Sequence, residues 1–157
     1  MELFFANCEQ IDLIGFTYID ESGSVVDIDN VLSIKCSNTW LNFHTLDCWT
    51  HWSFSNGNAD TYSDLEYRYE GRISEKVVGT LVVENAMRIE AVFEIGSSEL
   101  KGLKFHGELE SAFICFIDDM LKVCLGTKKQ HADELVLKYA THMTLDELLL
   151  VDVISPA

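Results

Sequence analysis

Four runs rich in β-branched and aromatic side chains occupy residues 11–19, 24–28, 31–36 and 39–43, and turn-forming residues separate them: Asp20-Glu21-Ser22-Gly23 and Ser37-Asn38. Such side chains suit a pleated, half-buried surface, and the intervening residues favour tight reversals, so this part of the chain is expected to fold as antiparallel strands. Only one proline is present, Pro156, and no Ser/Gly-rich stretch parts two blocks. With 157 residues, 48% of them apolar, the chain can bury a core of its own and reads as a single globular domain over residues 1–157. No internal repeat is evident.

Further along, Leu65, Tyr67, Tyr69 and Ile73 share one parity and Glu66, Arg68, Glu70 and Arg72 the other, which predicts a half-buried strand from Tyr62 onward. Residues 77–83 and 88–95, joined through Glu84-Asn85-Ala86-Met87, predict an antiparallel hairpin. Leu109, Phe113, Phe116, Met120 and Cys124 fall at helical spacing, although residues 112–117 would also suit a buried strand; the helix is the reading adopted. Thr144 followed by Glu147 ahead of Leu148-Leu149-Leu150 matches a capping box and predicts a short helix. The expected fold is therefore α+β: a mainly antiparallel, strongly bent β-sheet or sandwich with one or two C-terminal helices.

Charge narrows the function. The first 67 residues hold eleven acids and one base, Lys35, and carry −10 of a formal net charge of −15. A field of that sign repels nucleic acid and anionic membrane and favours a basic protein partner. Five cysteines, Cys8, Cys36, Cys48, Cys115 and Cys124, form an odd set without regular spacing, and no signal-like segment follows Met1-Glu2. Reduced thiols and a cytoplasmic location are expected from this. The apolar runs, such as residues 112–117, fall short of the roughly 20 residues that span a bilayer.

Several motifs invite chemistry and each has a plainer explanation. His44, Cys48 and His51, with Cys36 nearby, would offer zinc ligands on one face of a helix, but the segment reads as extended, which is expected to send His51 to the other face. Glu99-Leu100-Lys101 resembles half of a metal-dependent nuclease motif without its aspartate, and is expected to be an exposed turn. Asp20 to Ser24, with Asp27 and Asp29, has the oxygen-rich look of a calcium loop, yet Val31 stands where an EF-hand has its bidentate glutamate. Asp118-Asp119 are adjacent, and adjacent helical residues do not face each other. Nucleophile-elbow, P-loop and dinucleotide-binding patterns are absent from the sequence. No catalytic residue, cofactor or metal is assigned, and the chain is not expected to be an enzyme.

One constellation remains. Trp40, Trp49, Trp52, Phe54, Tyr62, Tyr67 and Tyr69 are interleaved with Asp47, Asp60, Asp64, Glu66 and Glu70. Aromatic anchors ringed by carboxylates suit docking on a basic surface, with Asp47, Trp49, Asp60, Tyr62, Asp64 and Glu66 as the expected partner-binding residues. In its acidity, single-domain length, unpaired cysteines and lack of catalytic motifs, the chain resembles bacterial immunity proteins of contact-dependent inhibition and related polymorphic-toxin systems. That resemblance implies a cytoplasmic inhibitor that binds and neutralises a basic protein toxin, most plausibly a nuclease. Two alternatives are a phage-type DNA mimic or anti-defence protein, and a small metal-dependent enzyme using His44, Cys48 and His51.

Overall fold

Strands pair with their sequence neighbours through most of the chain, in a computed structural model that describes residues 2–5, 8–47, 49–59, 61–83, 87–96, 99–107, 110–117, 120–126 and 148–154. Strands β1 (Gln10–Ile19), β2 (Val25–Cys36), β3 (Thr39–Leu46) and β4 (Trp49–Asn56) form an antiparallel meander, and β5 (Ile73–Val82) returns to pair with β1. The first sheet thus has the order β4-β3-β2-β1-β5. Strands β6 (Arg88–Glu94), β7 (Leu100–His106), β8 (Ser111–Ile117) and β9 (Met120–Leu125) form a second meander, and β10 (Leu148–Ile154) returns to pair with β6. Read from β9, the second sheet is β9-β8-β7-β6-β10. Each half is therefore a four-stranded meander closed by a fifth strand on its first. A repeat invisible in the side chains is present in the topology.

The C-terminal helices expected from the sequence are not found among the described residues: β8 and β9 cover residues 111–117 and 120–125, and Leu148-Leu149-Leu150 lies in β10. Thr144 and Glu147 lie outside the described residues. The apolar run of β8 misled because both of its faces are covered: Ala112, Ile114 and Phe116 join the core between the sheets, while Phe113 and Cys115 are buried on the other face. Burial on both sides erases the alternation that marks a strand. Helical structure among the described residues is confined to α1 (Glu2–Phe5) and α2 (Thr61–Arg68), so the fold is two antiparallel sheets rather than α+β.

Helix α2 replaces the strand expected from Tyr62. Leu65 is buried and Tyr69 half-buried, four residues apart as one helix face requires, whereas Tyr67, of the same parity, is 90% exposed. The helix ends in a left-handed cap: Glu70 has φ 55°, the Gly71 amide donates to the Glu66 carbonyl at 2.7 Å, and the Glu70 amide to that of Tyr67 at 3.4 Å. The hairpin expected from residues 77–95 is also corrected. Its strands exist as β5 and β6, but they belong to different sheets, because alternation specifies a strand without naming its partner.

Between the sheets lies the main core, with Leu13, Ile34, Leu41 and Phe43 from the first sheet and Leu103, Phe105, Ile114 and Phe116 from the second. Phe43 and Phe116 meet across the layers with ring centroids 5.0 Å apart, and Phe5 of α1 reaches Phe105 at 6.0 Å. A smaller cluster covers the opposite, outer face of the first sheet, where Leu65 of α2 packs with Ile14, Phe16, Val31 and Trp40. Cys8 and Cys36 form a disulfide with Cα atoms 5.6 Å apart, joining the segment after α1 to the end of β2, against the expectation of reduced thiols. Cys115 and Cys124 are buried, and burial, reinforced by Cys124, pushes the Cys115 thiol up to about 12. At neutral pH that group is held as the thiol, the weaker nucleophile of its two forms.

Candidate functional site: the outer face of the first sheet

Asp47 opens the connection between β3 and β4 with φ 53°, a left-handed conformation that aspartate tolerates and that a tight hairpin needs. Leu46 and Trp49 pair directly across this turn, 47% and 59% exposed, so an apolar pair stands beside a carboxylate at the hairpin tip. Both side chains share the outer face of the sheet with Trp40 and His44, because β3 alternates and Trp40 belongs to the outer cluster.

Helix α2 crosses that same face. Leu65 anchors it, which leaves Asp64, Glu66 and Tyr67 exposed. His44, Val31, Asp64, Leu65 and Arg68 line a crevice of about 50 Å³ between helix and sheet. Burial lowers the proton affinity of His44, the Arg68 charge and then His51 add to the effect, and Asp64 opposes them. His44 is thus a neutral imidazole at neutral pH and subtracts nothing from the acidic field around it.

Asp47, Trp49, Asp64 and Glu66 are therefore placed on one side of the molecule, at the hairpin tip and on the helix beside it. Tyr62 belongs to α2, and Asp60 lies outside the described residues. The aromatic constellation divides. Trp40 is core, its indole N–H donating to the Gly57 carbonyl at 3.2 Å and its ring lying 5.1 Å from the Lys35 ammonium. Trp52 and Phe54 pair with Phe43 and Leu41 and so face the other way, toward the inter-sheet core. The period of two within β4 was the signal that separates Trp49 from Trp52, and it becomes usable only once the strand register is known.

His44 and His51 lie directly opposite each other on β3 and β4, with rings 6.3 Å apart, so the expectation that they occupy opposite faces fails. The chain reverses at Asp47, and cross-strand partners share a face. No group of three or more His, Cys, Asp or Glu side chains able to hold a metal ion occurs among the described residues, and Cys48 is outside them. Glu99 and Lys101 form a 2.9 Å ion pair whose side chains are largely buried, not an exposed turn. The Asp20 carboxylate accepts hydrogen bonds from the Ser22 hydroxyl at 2.6 Å and the Ser22 and Ser24 amides at 2.8 and 2.9 Å. Led by the Ser22 hydroxyl, these bonds hold its pKa below the usual carboxylate value and spend its acceptor capacity on the turn. Asp118-Asp119 fall outside the described residues. Compared with protein-family models, curated proteins and solved structures, the chain matches none. No helix among the described residues is long and apolar enough to cross a membrane.

Proposed function

We propose that this chain is an acidic immunity or inhibitor protein that binds and neutralises a basic protein toxin, with a nuclease as the class of toxin it best suits. The observation that carries the reading is the outer face of the first sheet, where exposed Leu46 and Trp49 flank Asp47, and α2 presents Asp64 and Glu66 alongside. A nuclease must hold phosphate and so exposes a cationic surface. Long-range attraction between that surface and a chain of net charge −15 speeds encounter, and the exposed aromatic and aliphatic side chains supply area that loses water on contact. Inhibition of this kind needs occupancy of a surface and no chemistry in the inhibitor.

The test is protection. The chain is co-produced in a bacterial host with basic nuclease toxin domains, beginning with any whose gene adjoins its own, and survival and association rate are measured for the native sequence and for Asp64→Lys with Glu66→Lys. Both positions are exposed, so stability should move by less than about 0.5 kcal/mol. Association should slow by about tenfold at low salt and lose most of its salt dependence. A variant that folds, protects and associates as the native chain does would remove this face from the interface, and failure of the native chain to protect would remove the function.

A further inference from the structure

Strand β4 is a sheet edge with its outward backbone groups open. It stands at the end of the first sheet, and among the described residues no strand pairs with its far side. Its register with β3 runs unbroken from Thr39 opposite Asn56 to Leu46 opposite Trp49. One step beyond, the Gly57 amide donates to the Asn38 carbonyl at 2.9 Å, which marks that pair as a hydrogen-bonded one. Because such pairs alternate in an antiparallel ladder, Ser55, Ser53 and His51 turn their backbone groups toward β3. The N–H and C=O groups of Thr50, Trp52 and Phe54 point out of the sheet.

The side chains of those same residues lie on the inner face. Phe54 meets Phe4 and Trp52, each at a centroid distance of 5.7 Å, yet Trp52 is 49% and Phe54 43% exposed. The inter-sheet core runs out to the edge and ends uncovered. Residues 49–56 contain no charged side chain, no proline and no register shift, the devices by which sheet edges are normally kept from pairing with other chains.

We infer that β4 is a strand-addition site, which receives an extended segment of the basic partner with apolar residues at alternate positions and Lys or Arg between them. Residues of the added strand opposite Thr50, Trp52 and Phe54 share their face and cover the exposed rings. The intervening residues project to the outer face, the side that carries Asp64 and Glu66. A second copy of this chain is a poorer occupant, since it brings another net charge of −15 to the same edge. The inference rests on the proposed reading in that the partner is basic; it adds how the partner is held.

Two synthetic ten-residue peptides of alternating Lys and Val serve as probes, one unmodified and one N-methylated at every Val. They carry equal charge, but the second cannot donate hydrogen bonds to the edge. The unmodified peptide should bind the full chain at least about tenfold more tightly than the methylated one, a difference of about 1.4 kcal/mol. It should also slow amide exchange at Thr50, Trp52 and Phe54. Phe54→Lys should weaken it by a similar factor, with circular dichroism checking the fold; if that variant does not fold, the pair of peptides decides alone. Equal binding of both peptides with no protection of β4 overturns strand addition. Salt-dependent binding weakened by Asp64→Lys with Glu66→Lys would then leave the acidic-docking reading standing, whereas salt-independent binding would remove both. Concentration-dependent dimerisation of the chain that Phe54→Lys abolishes would name a second copy as the occupant and overturn the basic segment.

Discussion

Strands β4 and β9 hold the same place in two halves of like topology, each the fourth strand of its meander and each a sheet edge, and their surroundings differ. On β9, Leu121 and Val123 pack against the inter-sheet core, Leu125 lies against Gly79 of β5 although 48% exposed, and Lys122 is exposed along the edge. On β4 the inward residues Trp52 and Phe54 are half-exposed and no charge is present. Across the layers β9 contacts β2 and β5, whereas the inward side chains Trp52 and Phe54 of β4 stay half-exposed. Position in the topology therefore does not decide whether an edge is sealed. Overlap of the layers and the side chains along the strand decide it.

The sharpest way to break this contrast is to truncate neighbouring aromatics on β3 and β4. Phe43 is fully buried, so Phe43→Ala should cost about 3–5 kcal/mol in urea denaturation. Its cross-strand partner is half-exposed, and Trp52→Ala should cost about 1 kcal/mol. Equal costs would make β4 as much a part of the core as β3.

A smaller effect probes the sealed edge. A methyl added at Gly79 would stand 3.0 Å from both terminal carbons of Leu125, which at 48% exposure can give way, so Gly79→Ala should destabilise by no more than about 1 kcal/mol. Most of that increment should vanish in a Leu125→Ala background, measured as a double-mutant cycle; purely additive costs would mean that β9 does not close over β5.

The smallest expected effect is a slope. Folding disfavours the charged form of His44, so its contribution to stability is lost as pH falls through the ordinary value of 6.5 and stops changing below the lowered folded value. His44→Gln should flatten the acid side of a plot of melting temperature against pH. An unchanged slope would mean that α2 does not shield the outer face of β3.

The early strands were legible because turn residues bracket runs that suit a half-buried surface: β1 and β3 fall on residues 10–19 and 39–46, while the runs at 24–28 and 31–36, read apart, are one strand, β2, over residues 25–36. Helix α2 was not, since Leu65 and Tyr69 satisfy a period of two and a helical step of four alike; Gly71 after Glu70 was the cap signal that could have separated them. Strand β8 lost its alternation to burial on both faces. Pairing across the molecule, which places β5 and β6 in different sheets, is set by register and has no local mark. At the site, the acids and Trp49 could be named from sequence, but the open backbone of β4 could not, because every residue has the same backbone groups and only the sheet decides which remain outside.

All five strands of the first sheet precede residue 83, and every strand of the second follows residue 87. At synthesis rates of about 5–20 residues per second, the following 70 or so residues take roughly 4–14 s to emerge. During that interval the first sheet has all its own strands but not its cover, and the face bearing Leu13, Ile34, Leu41 and Phe43 continues without a break to the open edge at β4. Nascent chains on one polysome would then present the same sticky surface to one another. The −10 charge of residues 1–67 lies on the half that emerges first, and the mutual repulsion it gives such half-made chains opposes their contact until the second sheet arrives.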